Sequence, residues 1–238
     1  MFFTMEISTL TGIDEYLLLS LNGSDSIFLD GCMTVYTSMA IWMPLALMLI
    51  YVLAKNNSTK DFMFLLLVVA AVVGLTDFIS SGLCKPFFER WRPTRDPVLM
   101  YVVDVVNETR GGSYGFTSSH AANSFGIATF VILLIKNRAL SISLVVWASM
   151  NAFTRIYLGV HYPGDIIAGT LIGVSVGVLM YLLYSFIKKK QRKSTPRDWV
   201  SGEYTKSGYL MSDVYLLLVG MYATFALIPL ISFFTFAV

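Results

Sequence analysis

Charge is what this sequence has least of. Only 13% of its 238 residues are Asp, Glu, Lys or Arg, against about 25% in an ordinary soluble domain. With 56% hydrophobic residues and a mean hydropathy of +0.69, that shortage argues against a water-soluble globule and makes a bilayer the expected solvent. The formal net charge of +2 gives no footing for a nucleic-acid partner. Cysteine is scarce too: Cys32 and Cys84 have no metal-ligand spacing and cannot build a disulfide framework. Free thiols are expected, although both fall near one membrane face, where a bridge is geometrically open. The opening residues carry Glu6, Asp14 and Glu15 but no basic cluster, so a cleaved signal peptide is not expected and the first hydrophobic span does the targeting.

What is present is a series of long apolar runs. A helix needs about 20 apolar residues to cross the hydrocarbon, and six stretches approach that length, at 32–54, 61–84, 118–135, 139–158, 163–187 and 209–236. Backbone in lipid must satisfy its own hydrogen bonds, so each run is expected as a helix with its polar connections outside. The predicted fold is all-α, a polytopic membrane bundle of about six transmembrane helices, with no internal repeat. Residues 1–31 are expected as an interfacial segment, because Leu10, Ile13, Leu17 and Leu21 fall on one side of a helix. Residues 32–187 form the core, 188–208 a basic loop and 209–238 the last span.

Six spans place alternate connections on opposite faces. Lys55, Lys60, Lys136, Arg138, Lys188, Lys189, Lys190, Arg192, Lys193, Arg197 and Lys206 share one face. The other face holds Lys85, Arg90, Arg92, Arg95, Arg110 and Arg155, and no Lys or Arg precedes residue 55. The positive-inside tendency makes the first face cytoplasmic and sends both termini to the other side.

The outer face carries the chemistry. After span two the sequence reads KPFFERWRP (85–93), span three opens FTSSHAANS (116–124), and the turn before span five reads TRIYLGVHYPGD (154–165). The chain has two histidines, His120 and His161, and both are here. Lys85, Arg92 and Arg155 supply three cations, two of them guanidinium forks suited to bidentate phosphate binding. Ser118 and Ser119 sit where a helix starts, so unpaired N–H groups and the helix dipole favour an anion there. Asp165 follows His161 by four residues, a spacing that brings carboxylate to imidazole across the start of a helix.

These residues resemble the three-part signature of the type 2 phosphatidic acid phosphatase superfamily, shared with bacterial acid phosphatases and vanadium haloperoxidases. That signature runs Lys, six residues, Arg-Pro; then Pro-Ser-Gly-His; then Ser-Arg, five residues, His, three residues, Asp. Lys85, Arg92 and Pro93 fit its first part, Ser118 and His120 the second, and Arg155, His161 and Asp165 the third. Thr117, Ser119 and Thr154 stand where the signature has proline, glycine and serine; a side chain at Ser119 is expected to narrow the site.

The resemblance implies a metal-free, cofactor-free lipid phosphatase of a bacterial inner membrane, with its site facing the periplasm. His161 would attack phosphorus to form a phosphohistidine, oriented by Asp165, while His120 protonates the leaving oxygen and then activates water. Lys85, Arg92, Ser118, Ser119 and Arg155 would hold the phosphoryl oxygens. This face carries no carboxylate cluster comparable to a two-metal site. Undecaprenyl diphosphate and the phosphate of lipid A are the favoured substrates, ahead of phosphatidylglycerophosphate and phosphatidic acid. A phosphotransferase, or a transporter that only binds anionic lipid, are the rival readings. Asp77, at membrane depth in span two, is expected as a hydrated or paired carboxylate near the site. Tyr114 and Phe116 are expected as interfacial anchors, and residues 97–106 as a short lid or interfacial segment with helix and strand both open.

Overall fold

The computed structural model describes residues 2–191 and 203–236, with side chains over 11–189 and 203–236. Glu6, Leu10, Lys190, Arg192, Lys193 and Arg197 therefore lie outside the described side chains. Among the described residues, five helices are long and apolar enough to cross a membrane, and one shorter apolar helix lies between them. These are α3 (Met39–Asn56), α4 (Thr59–Asp77, prolonged as far as Phe88), α7 (Arg138–Tyr157), α8 (Pro163–Gln191) and α9 (Met211–Phe236), with α6 (Ser119–Ile135) as the short one. At 1.5 Å per residue, the 17 residues of α6 extend about 25 Å. The short helix is the central one, packed against α4, α7 and α8.

Two expected boundaries move. The run at 32–54 is broken at Ser38, whose extended backbone separates α2 (Ile27–Thr37) from α3. The break is satisfied locally: the Trp42 indole N–H donates to the Tyr36 carbonyl at 2.7 Å, and the Ser38 N–H to that of Val35 at 3.1 Å. Span two does not stop at residue 84. It passes through a π-helical turn, Phe78–Cys84, into α5 (Lys85–Phe88) and ends at Glu89, whose φ of 46° is a left-handed cap. Lys85 thus sits on helix, not in a loop.

Small residues bring α6 and α8 together. Gly169, Gly173 and Gly177 recur every four residues along α8, opposite Ser118, Ala122 and Gly126 at the same spacing on α6. A Cβ on Gly173 would lie 2.3 Å from the Ala122 carbonyl oxygen, and one on Gly169 2.5 Å from that of Ser118. Only glycine permits this approach, which places the first turns of both helices side by side.

The main core joins α3, α4, α6, α7 and α9 through Leu53, Leu65, Phe130, Ile135, Leu144 and Met221. Leu47, Leu67, Leu171, Leu179 and Phe234 point outward and exposed, as a lipid solvent requires. At the end remote from the two histidines, Lys55 pairs with buried Asp213 at 2.7 Å and Lys188 pairs with Asp61. The helix α1 (Phe2–Leu21) contacts α7 and α8, burying Leu18 against Leu99, Ile156 and Tyr162 while Ile13 and Leu17 stay exposed. The segment 97–106 is neither regular helix nor strand; a 3₁₀ turn, Leu99–Tyr101, lies within it and a second, Val106–Glu108, starts at its end. Cys32 and Cys84 are free thiols.

Candidate active site

Five helix ends, those of α2, α5, α6, α7 and α8, and one loop converge on the face opposite Lys55 and Asp213. The loop is organised by a short antiparallel bridge, Trp91 with Tyr114: Arg92 N–H donates to Ser113 and Gly115 N–H to Arg90. In extended backbone, residues two apart share a side, so Arg90 and Arg92 both turn toward the helix ends. Ser118 caps α6, its Oγ accepting from Ala121 N–H at 3.4 Å while its own N–H donates to the Asp165 carbonyl at 3.1 Å. The amides of Ser119 and His120 lie in the first turn, where α6 offers them no partner.

His161 lies in the turn between α7 and α8 and is almost fully buried. Its Nδ1 is 3.3 Å from Asp165 Oδ2, and its Nε2 is 3.1 Å from Arg92 Nη1. Both contacts are hydrogen bonds only if Nδ1 carries the proton and Nε2 offers its lone pair, because guanidinium can donate but never accept. Burial first, then the charges of Arg92, Arg155 and Lys85, holds the His161 pKa well below its ordinary value. The ring is therefore neutral with its nucleophilic nitrogen facing the cations. His120, one residue into α6 from Ser119, is exposed at the mouth and within electrostatic range of His161, Lys85, Arg92 and Arg155.

Lys85 Nζ donates to Ser81 Oγ and Ser119 Oγ, each at 2.9 Å, and the two hydroxyls are 2.8 Å apart. The side chain of Ser119 turns toward the lysine, so the narrowing expected from a residue larger than glycine is taken up by this contact. The π-helical turn supplies Ser81, whose hydroxyl also donates to Asp77 Oδ1 at 3.2 Å. Asp77 is thus paired one turn from the cations. Arg155 donates to Thr37 Oγ1 at 2.9 Å, and Thr37 reaches the site because α2 ends there. Thr154 is spent on its own helix, donating to the Asn151 carbonyl at 2.7 Å.

Among the described residues, the Nε groups of Arg92 and Arg155 are buried without a hydrogen-bond acceptor. Such orphaned donors cost about 1–3 kcal/mol each. Two of them, on guanidinium groups beside a neutral imidazole, are donors suited to an oxyanion.

Sequence reasoning missed Arg90, Asp14, Ser81 and Thr37. Arg90 Nη1 is 2.9 Å from Asp165 Oδ1 and its Nη2 is 2.6 Å from Asp14 Oδ2. The signal for Arg90 was its two-residue offset from Arg92; Asp14, Ser81 and Thr37 meet the site only through tertiary packing. Tyr114 packs on Trp91 at 5.3 Å and Phe116 on Phe88 at 4.7 Å between ring centroids.

A family profile described as the PAP2 superfamily matches residues 61–189, which contain every residue of the histidine and cation cluster except Asp14 and Thr37. The chain is 39% identical over 191 residues to a lipid A 4'-phosphatase of Bacteroides thetaiotaomicron, covering 80% of this chain and 85% of the relative. It is 31% identical over 178 residues to a lipid A 4'-phosphatase of Porphyromonas gingivalis, covering 75% of each. A crystal structure of a transmembrane PAP2-type phosphatidylglycerolphosphate phosphatase from Bacillus subtilis superposes with a TM-score of 0.58 at 21% identity, covering 79% of this chain and 90% of that one. The helical frame is thus shared with a solved membrane enzyme, and more than half the chain fits one profile that spans both histidines; the chain belongs to the PAP2 superfamily.

Proposed function

We propose that this membrane lipid phosphatase removes the 4'-phosphate of lipid A at the periplasmic face of a bacterial inner membrane, through a phosphohistidine on His161. The reading rests above all on the neutral, Asp165-oriented imidazole of His161, whose Nε2 faces Arg92 beside two orphaned guanidinium donors. The substrate is taken from the relatives, whose names specify lipid A 4'-phosphatase over three quarters or more of both chains. The orientation is supported by the sequence count of basic residues, eleven in the connections expected on one face against six in those expected on the other.

Nε2 of His161 attacks phosphorus in line as the sugar oxygen leaves. His120 protonates that oxygen and then takes a proton from the water that hydrolyses the phosphohistidine. Arg92, Arg155, Lys85 and the amide of Ser119 hold the equatorial oxygens, where charge accumulates. The Ser118 hydroxyl, which accepts from Ala121, has its proton left to donate to one of them. The acyl chains stay in lipid while the head group enters at the helix ends.

The test is phosphate release by purified protein, with chelator present, from lipid A bearing both phosphates, undecaprenyl diphosphate, phosphatidylglycerophosphate and phosphatidic acid. Loss of one phosphate from lipid A, mapped to the 4' position by mass spectrometry and abolished by His161→Ala, is expected. Faster turnover of another lipid in the panel would reassign the substrate. Label transferred to an organic acceptor in place of water would make the enzyme a phosphotransferase.

A further inference from the structure

Asp165 is wholly buried, and a buried carboxylate needs a counter-charge that neutral His161 does not supply. Its Oδ2 is occupied by His161 Nδ1 at 3.3 Å and Tyr162 N–H at 3.1 Å, leaving Oδ1 to Arg90 at 2.9 Å. Arg92 directs its Nη1 elsewhere, to His161 Nε2 and the Val160 carbonyl. Arg90 is itself fixed on two sides, lying 3.9 Å over the Tyr162 ring and pairing with Asp14 at 2.6 Å. Asp14 comes from α1 and uses its other oxygen to accept the Gly164 N–H at 2.7 Å. Pro163 has no N–H, so Gly164 offers the first amide of α8, the helix that carries Asp165. A Cβ at Gly164 would lie 2.8 Å from Asp14 Oδ2, so glycine is what lets the carboxylate in.

We propose that Arg90 and Asp14 are positioning residues of the phosphoryl-transfer site: Arg90 clamps the Asp165 carboxylate against His161, and Asp14 ties helix α1 into that clamp. The chain Gly164, Asp14, Arg90, Asp165, His161, Arg92 is continuous in hydrogen bonds and alternates in charge at Asp14, Arg90 and Asp165. The N-terminal helix is accordingly a part of the active site as well as an interfacial segment. The inference rests on His161 as the attacking group and not on which lipid is the substrate.

Position and charge make separable predictions. His161 and Asp165 bind one proton between them, and the apparent pKa belongs to the pair. Removing the Arg90 cation raises the pair's proton affinity, whichever member takes the proton; removing the Asp14 anion lowers it. The other charged or titratable groups facing the pair, Lys85, Arg92, Arg155 and His120, with Glu15 and Asp96 beside Tyr162, are the same in every variant.

The experiment uses the full chain in detergent with ¹⁵N-labelled histidine, which gives two imidazoles, of which His161 is identified by the loss of the other in His120→Gln. The His161 titration midpoint is expected to rise by roughly one unit in Arg90→Met and to fall in Asp14→Asn, with Arg90→Lys close to wild type. In parallel, on whichever lipid the wild type hydrolyses, Arg90→Met is expected to lose kcat about 100-fold with little change in KM, and Arg90→Lys to recover most of it. Midpoints that stay put, or move in the same direction in Arg90→Met and Asp14→Asn, overturn the proposal, as does a lysine variant no better than methionine. Should the wild type hydrolyse none of the lipids, the proposed function fails, while the titration still decides the clamp. A turnover that survives His161→Ala removes the assignment on which the clamp depends.

Discussion

Because burial and three cations all disfavour its imidazolium, His161 stays neutral to pH values well below the ordinary 6.5. The acidic limb of kcat/KM set by this residue is therefore expected far below neutrality. Arg155→Ala removes one of those cations, so the limb moves to higher pH, while kcat drops about 10²–10³-fold through lost charge stabilisation. A pH–rate series on the two proteins checks both; a limb that stays where it is, or moves to lower pH, would contradict an action of Arg155 on His161. At this scale the sequence was highly informative, since eight residues at fixed spacing named the histidines, their carboxylate and the cations. It was silent on Asp14, Ser81 and Thr37, because a partner 76 residues away, as Asp14 is from Arg90, leaves no local pattern. The role of Ser119 also needed coordinates: only packing shows that its hydroxyl turns onto Lys85.

The glycine seam between α6 and α8 positions the site more than any loop does. Gly173→Val places a branched side chain where even a Cβ meets the Ala122 carbonyl oxygen at 2.3 Å, so the helices must part and Asp165 must move from Ser118. A loss of about 1–3 kcal/mol of stability is expected, together with most of the activity, while Gly74→Ala, which meets nothing within 4 Å, is expected to be neutral or slightly stabilising. Thermal unfolding in detergent and phosphate release on the three proteins check the pair. Hydropathy located four of the five long helices within a few residues, and began the first seven residues early, because length and apolarity are all a bilayer demands. It could not register the break at Ser38 or the π-helical turn at 78–84, since both stretches are apolar enough to continue a span. The four-residue recurrence of Gly169, Gly173 and Gly177 was readable but acquires meaning only opposite Ser118, Ala122 and Gly126.

For the molecule as a whole, the described structure places Lys55, Asp61, Lys188 and Asp213 at one end and the histidine cluster at the other. If the basic end is cytoplasmic, a C-terminal alkaline phosphatase fusion is active in cells and a fluorescent-protein fusion exported unfolded is dark. The reverse pattern would turn the site toward the cytoplasm and exclude periplasmic lipid A as its substrate. The central claim is covalent: a phosphoryl group rests on Nε2 of His161 between two half-reactions. Rapid acid-free quenching of the enzyme with lipid A carrying radiolabel in its 4'-phosphate, followed by peptide mapping, reads this directly. The account predicts base-stable, acid-labile label on the peptide holding His161, absent in His161→Ala; label on His120, or turnover with no label on either histidine, would contradict it.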